Sequence, residues 1–430
     1  MAIIIFILIL SILVLVHEFG HFIAAKRNGI RVEEFGLGLP PKIFSRQYGE
    51  TMYSLNLLPF GGFVKLTGED LGEGTGNKKE GGQVEEVQIE EVKTEITDIE
   101  GQTLVIEEKS VEVVVETTGG DSSGAGLAAL AAAQDPKSFS VKTPWQRFGV
   151  LFAGVAMNAV LAIALFYIFL ISNGFKTFQI PLFFNYRFKF GEITELQTVV
   201  VDVQKGLAAE KAGISVGEAV LSIDGVPVND VYGVRNQLVG KQDKEVEVKL
   251  LDLKNQANPQ TTVVKLKPSL DSEGNPILGV YLSKTVSIGY QKPLEKVFAG
   301  FLHSYNILAY SVTSFAKIIG LSVETRDITP VSQSVAGPVG IYNVIHAILK
   351  YGGRGVLLTL LDYIAIMSLS LAFINVLPFP ALDGGRILFV LIEGISGKRV
   401  NPVWEANIHK IGMVLLLGLI VLITIKDIAL

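Results

Sequence analysis

Two histidines and a glutamate interrupt the apolar stretch LVLVHEFGHFIAAK, residues 13–26, at His17, Glu18 and His21. The pattern is H-E-x-x-H. On a helix, residues four apart share one face, so both imidazoles can reach a single ion. Glu18, one place on, lies close enough to meet a water beside that ion without being a ligand itself. Two neutral histidines, a third protein ligand and one open position make a catalytic zinc site. Zinc held this way acts as a Lewis acid that lowers the pKa of water toward about 7. A neighbouring carboxylate can take the released proton and pass it to a leaving amine.

The surroundings weigh in favour of that chemistry. His17 stands nine residues before Lys26, about 13 Å along a helix at 1.5 Å per residue, and so well inside an apolar segment. Each ionisable group at such depth costs roughly 2.5–3.5 kcal/mol, which makes three clustered by accident improbable. The alternative is polar side chains that only bond neighbouring helices. The chain has 5 histidines and no cysteine, so a thiolate ligand, a cysteine nucleophile and a disulfide are all excluded.

A third ligand must come from elsewhere. The strongest candidate lies in AFINVLPFPALDGGRILF, residues 372–389, where Pro378 and Pro380 break an apolar segment and Asp383 follows. Broken helices at membrane depth free backbone groups and create polar pockets. Asp383 would supply a carboxylate to complete the site, or else serve as an N-cap or turn residue. Asn375, in the apolar part of the same segment, could bond substrate backbone or a neighbouring helix. Asp362 reads as structural, and His303, His346 and His409 as isolated surface or interface residues.

The elements that must carry these residues follow from composition. Of 430 residues, 49% are hydrophobic and 18% charged, with a mean hydropathy of +0.44. Soluble domains carry roughly a quarter charged residues, so a membrane protein is expected. A net charge of −5 argues against a nucleic-acid partner. Four segments can span a hydrocarbon core of about 30 Å: 1–27, 144–174, 356–378 and 411–428. The first lacks a basic flank and a small-residue cleavage site, and reads as a retained transmembrane helix rather than a signal peptide. Lys26, Arg27, Arg31, Lys142, Arg147, Arg386, Lys398, Arg399 and Lys410 place the connections they flank on the cytoplasmic side. The N-terminus, the 174–355 region and the C-terminus then lie outside.

Between these spans, residues 28–68 alternate and break at Gly and Pro, as a membrane-associated hairpin loop would. Residues 69–143 hold an acidic β-rich insert whose alternating Val/Ile and Glu suggest a two-stranded ribbon turning at Glu100–Gly101, followed by a Gly/Ser/Ala linker. Residues 191–288 form a compact α+β unit outside the membrane. Residues 289–355 show amphipathic helical patterns that fit an interfacial helix pair better than another span, and 379–410 reads as a loop containing Leu-Asp-Gly.

HEFGH in the first span, FAGVAMN in the second and NVLPFPALDGG in the third together resemble the site-2 protease family, most closely its bacterial regulator-of-sigma-E protease branch. The resemblance implies a polytopic α-helical membrane protein with four transmembrane helices, a membrane-associated β-hairpin and an extracytoplasmic PDZ-like α+β domain. It implies a zinc intramembrane endopeptidase of the bacterial inner membrane, with one Zn²⁺ per chain. By the same likeness His17, His21 and Asp383 are metal ligands and Glu18 is the general base and acid. Asn375, Pro378 and Pro380 would help hold an unwound substrate, and the 31–67 loop would add an edge strand to it. The implied substrates are single-span membrane proteins already clipped once, such as anti-sigma factors, or remnant signal peptides. PDZ domains of the family act as size filters or bind new peptide C-termini. Two features depart from the best-known members: there is one PDZ-like unit where some relatives have two, and the acidic insert at 69–135 has no family role. A competing reading is a non-catalytic membrane adaptor that binds peptide tails, which the absence of stoichiometric zinc would favour. A transporter, which predicts internal repeats among the spans, ranks behind both.

Overall fold

The computed structural model describes residues 2–69, 93–97, 103–107, 135–228, 231–252, 260–271, 273–351 and 355–429. Helix α1, Ala2–Arg27, is apolar on every side and ends at Lys26 and Arg27. It leads into β1, Val32–Tyr48, and β2, Thr51–Leu66. Both strands fold back on themselves near proline, β1 at Pro40–Pro41 and β2 near Pro59, because proline cannot donate to a ladder. Phe35, Gly36 and Leu37 therefore align with Val64, Phe63 and Gly62 on one side and with Tyr53, Ser54 and Leu55 on the other. Residues 44–48 align in turn with 51–55, giving a small curled sheet where a simple hairpin was expected. Ile43, Phe44, Leu57 and Leu58 on it are exposed, an apolar surface that lipid would cover.

Within the acidic insert, β3, Lys93–Thr97, pairs antiparallel with β4, Thr103–Glu107. This is the expected ribbon; its turn at Glu100–Gly101 and the linker up to residue 134 lie outside the described residues. Helix α2, Pro144–Ser172, starts at a capping box in which Thr143 and Gln146 satisfy each other's backbone N–H groups, with Pro144 in its first turn, as that sequence predicts. It touches α1, α3, α5 and α6 and is the hub of the helical part.

The sheet domain is one antiparallel sheet whose main path runs in the order β9-β8-β7-β6-β10-β5. In chain order these strands are β5, Ile180–Leu182; β6, Glu192–Val203; β7, Glu218–Ile223; β8, Val246–Asp252; β9, Thr261–Leu266; and β10, Val280–Gly289. Along β8, Val246, Val248 and Leu250 are buried while Glu247 and Lys249 are exposed, the period-two pattern of a sheet with one packed face. Those residues and Val200, Val220, Ile223, Val234 and Leu238 form its core. Each fully buried Val, Leu or Ile contributes roughly 1.5–3 kcal/mol.

Helices α3, Ala299–Thr325; α4, Pro338–Tyr351; α5, Val356–Val376; α6, Asp383–Ser396; and α7, Pro402–Ala429, complete the chain. Among the described residues, five helices are long and apolar enough to cross a membrane, the expected four and α3. Interfacial helices, expected over 289–355, would turn their polar groups to an outer, wetted face. In α3 the polarity is inverted: His303, Ser304, Asn306 and Ser314 are buried, while Phe301, Tyr305, Val312 and Phe315 are exposed. This helix packs against α2 where Gly300 approaches Ile163 and Tyr167, Ile307 meets Ala162 and Phe166, and His303 stands edge-on to Phe166. A second difference concerns 379–410, expected as a loop. Residues 383–396 are helical, with Ile387 and Val390 buried on one side, and α7 begins as early as Pro402.

Candidate metal centre

His17 and His21 lie one turn apart on α1, buried, with their Nε2 atoms 3.2 Å apart. Two glycines let α2 press against this turn. A Cβ on Gly20 would lie 2.8 Å from the Ala153 carbonyl carbon, and one on Gly154 would overlap the His21 imidazole. Close approach of this kind is what small residues provide between membrane helices. It brings the Val150 carbonyl within 2.8 Å of His21 Nδ1. That oxygen can only accept, so Nδ1 carries the proton and the Nε2 lone pair is free.

Asn158, fully buried on α2, stands against the other ring, its side-chain amide 3.2 Å from His17 Nδ1. With the nitrogen of that amide toward the ring, Oδ1 is left buried without a partner. Turned by half a rotation, Oδ1 accepts the Nδ1–H and the orphaned acceptor disappears. Ser368 Oγ on α5 donates to the Asn158 carbonyl at 2.8 Å and ties three helices together here. Both histidines then present Nε2 lone pairs to the same point.

Asp383 faces that point. It is the first residue of α6; the N-cap is Leu382, so the N-cap alternative for Asp383 does not hold. Gly384 and Gly385 permit the tight return of the chain, since a Cβ on either would strike the Val376 carbonyl at 2.5 Å or the Phe379 carbonyl at 2.6 Å. Asp383 Oδ2 lies 2.8 Å from His17 Nε2 and 3.3 Å from His21 Nε2. These three are the described His and carboxylate residues whose ligand atoms converge. Once both rings carry their protons on Nδ1, Oδ2 has no donor facing it, in agreement with its standing as a buried acceptor without a partner.

Three converging acceptors repel one another unless a cation lies between them. A four-coordinate ion with bonds of about 2.0–2.1 Å keeps its donor atoms about 3.3 Å apart; separations of 3.2 and 3.3 Å match that spacing, and the His17–Asp383 pair at 2.8 Å is closer. The donor set of two imidazoles and one carboxylate therefore fits zinc. Beside it is a cavity of about 230 Å³ lined by Val14, His17, Glu18, Leu371, Asn375, Ala381, Leu382 and Asp383. Glu18 opens into this space, and a Cβ on Gly62 of β2 would be 3.6 Å from Glu18 Cγ, so the curled sheet flanks the cavity.

The structure thus brings together His17, Glu18, His21, Asp383 and Asn375. Pro378 and Pro380 are not on the cavity wall: Pro378 is exposed, and Pro380 packs toward Gly412 of α7. Asn158 and Gly154 were missed as site residues, although an asparagine in the apolar run of α2 was a readable sign of a buried polar role. His303 is an interface residue, edge-on to Phe166, and His346 is exposed and stacked on Tyr342. His409 is not isolated, because its ring bonds the backbone beside Asp383.

Comparison with known proteins agrees with this chemistry. The profile of peptidase family M50 matches residues 5–419. A Clostridium perfringens protein that carries the name zinc metalloprotease is 31% identical over 430 residues, covering 100% of this chain and 98% of its own. A Staphylococcus aureus protein of the same name is 30% identical over 459 residues, covering 99% and 97%. The regulator of sigma-W protease of Bacillus subtilis is 30% identical over 454 residues, covering 98% and 97%. With a match over nearly its whole length and a donor set that fits the metal, this multi-pass membrane chain belongs to peptidase family M50, the site-2 protease family of zinc metalloproteases.

Proposed function

We propose that this protein is an intramembrane endopeptidase that hydrolyses peptide bonds within transmembrane segments, with His17, His21 and Asp383 as zinc ligands. The observation that carries the reading is the convergence of three acceptor atoms on a 230 Å³ cavity among helices apolar enough to cross a membrane. Bound zinc supplies Lewis-acid polarisation of a water and of the scissile carbonyl. Glu18 takes the proton from that water and delivers it to the leaving amine. Asn375, on the cavity wall, offers an amide to the backbone of an unwound substrate. Pro378 and Pro380 act through the turn they shape.

A transmembrane helix must unwind before its peptide bond can enter such a site, and its freed N–H and C=O groups then need partners. The edge of β2 near Gly61–Gly62, beside Glu18, is suited to supply them by strand addition. The substrates we propose are single-span proteins already clipped outside the membrane, either anti-sigma factors or signal-peptide remnants. The sigma-W regulator named for the Bacillus relative favours the first. The 191–288 unit is proposed to be a PDZ-like domain outside a bacterial inner membrane that filters substrates by size or binds their new C-termini. The site would then lie toward the cytoplasm.

The test is cleavage of a single-span reporter by purified protein, with the cut bond located by mass spectrometry. Cleavage within the span, lost with a chelator and restored by zinc, is the expected result. Cleavage only in soluble loops would overturn the intramembrane reading.

A further inference from the structure

Asp383 reaches the two histidines from the end of a six-residue turn, 377–382, between α5 and α6. Within it, Ala381 adopts φ +77°, a left-handed conformation in which its Cβ is crowded and which non-glycine residues seldom occupy. Such a residue persists only where its surroundings hold it. The holding group is on α7. Ala381 N–H donates to His409 Nδ1 at 3.0 Å. An accepting Nδ1 requires a neutral ring protonated at Nε2, and among the described residues Nε2 is buried without a partner, so the bond to Ala381 is the one that orients the ring there. The turn is clamped against α7 on the same face, where a Cβ on Gly412, three residues along, would come within 2.7 Å of the Pro380 carbonyl oxygen. The other side of the ring meets Phe389 edge-on, with centroids 5.8 Å apart.

We propose that His409 is a positioning residue for the metal centre: by accepting the Ala381 N–H it holds the turn in the left-handed conformation that delivers the Asp383 carboxylate to His17 and His21. This rests on the reading of Asp383 as a zinc ligand. It gives α7, whose outer surface is largely exposed apolar side chains, a part in the chemistry although it contributes no ligand.

The test measures zinc affinity by competition with a chromophoric chelator, using full-length protein in detergent and the variants His409→Leu, His409→Gln, Ala381→Gly and the double variant His409→Leu/Ala381→Gly. Groups that orient a metal site are worth about 10–100-fold in affinity, so His409→Leu should lose at least about tenfold. His409→Gln, whose side-chain oxygen can still accept, should retain most of the affinity. Glycine adopts positive φ without cost, so the double variant should recover most of what His409→Leu loses. Recovery at Ala381 could not follow if His409→Leu acted through general loss of helix packing. The proposal is overturned if His409→Leu binds zinc as the wild type does, or if Ala381→Gly restores nothing. Asp383→Ala is run alongside. If it keeps zinc, the ligand reading falls and this proposal with it; if it loses zinc while His409→Leu does not, this proposal alone falls.

Discussion

Two histidine clusters are buried among the long helices, and they solve the same problem in opposite ways. At the junction with the sheet domain, His303 Nδ1 meets the Tyr290 hydroxyl at 3.2 Å. Asn306 donates to that hydroxyl at 3.0 Å and to the Phe190 carbonyl at 2.8 Å, and accepts the Phe190 N–H at 3.3 Å. There the Tyr290 hydroxyl accepts from Asn306 and can donate to His303 Nδ1. At His17 and His21 the neighbouring asparagine and carbonyl occupy both Nδ1 positions, so two lone pairs and a carboxylate oxygen face one another. The first arrangement sets donors against acceptors with no ion between them and fastens the sheet domain to α3. The second is complete only with a cation. Polar residues within a span are therefore distinguished by whether their hydrogen bonds close, more than by their number.

The contrast predicts separable losses. The largest follows Glu18→Gln, which should lower reporter cleavage by about 10²–10⁴-fold, the usual worth of general acid–base catalysis, while leaving bound zinc intact. Asn158→Leu comes next. It removes the acceptor for His17 Nδ1–H and should weaken zinc binding about 10–100-fold, measured by chelator competition. Tyr290→Phe should do the reverse, costing about 1–3 kcal/mol of stability by stranding buried partners while leaving zinc affinity unchanged. A drop in zinc affinity there would erase the distinction between the clusters.

The smallest effect lies outside the spans. Glu50 accepts from Lys26 Nζ at 2.7 Å and Lys137 Nζ at 3.0 Å, which hold its carboxyl down at about 2 from an ordinary 4.5. A lowered folded-state pKa contributes stability that is present above the unfolded value and lost on acidification, here as pH falls from about 4.5 toward 2. The side chain is 34% exposed, and solvent screening limits such a pair to under about 1 kcal/mol. The melting temperature of Glu50→Gln should fall slightly below wild type at pH 7 and converge with it only as the pH approaches 2.

Legibility in the sequence followed the range of each interaction. H-E-x-x-H lies within one helical turn, so its spacing alone brings His17 and His21 to one face. Asp383 was readable because prolines and glycines mark a broken helix in an apolar run. The alternating strands at 246–252 declare themselves by period. The support around the metal centre left no such trace. Val150 O, Asn158 and His409 act on residues 129, 141 and 28 positions away, and only the packing of α2 and α7 brings them in. The burial pattern of α3 was hidden for a related reason. Its polar residues look like a wetted face until Tyr290, Phe190 and Phe166 are seen to cover His303 and Asn306.

The central claim is that the converging acceptors hold zinc, and its most direct measurement is the zinc-to-protein ratio of Asp383→Ala purified beside wild type under mild conditions. The account predicts one zinc per wild-type chain and essentially none in the variant, with both proteins folded. A full zinc complement in Asp383→Ala, or none in active wild type, would contradict it.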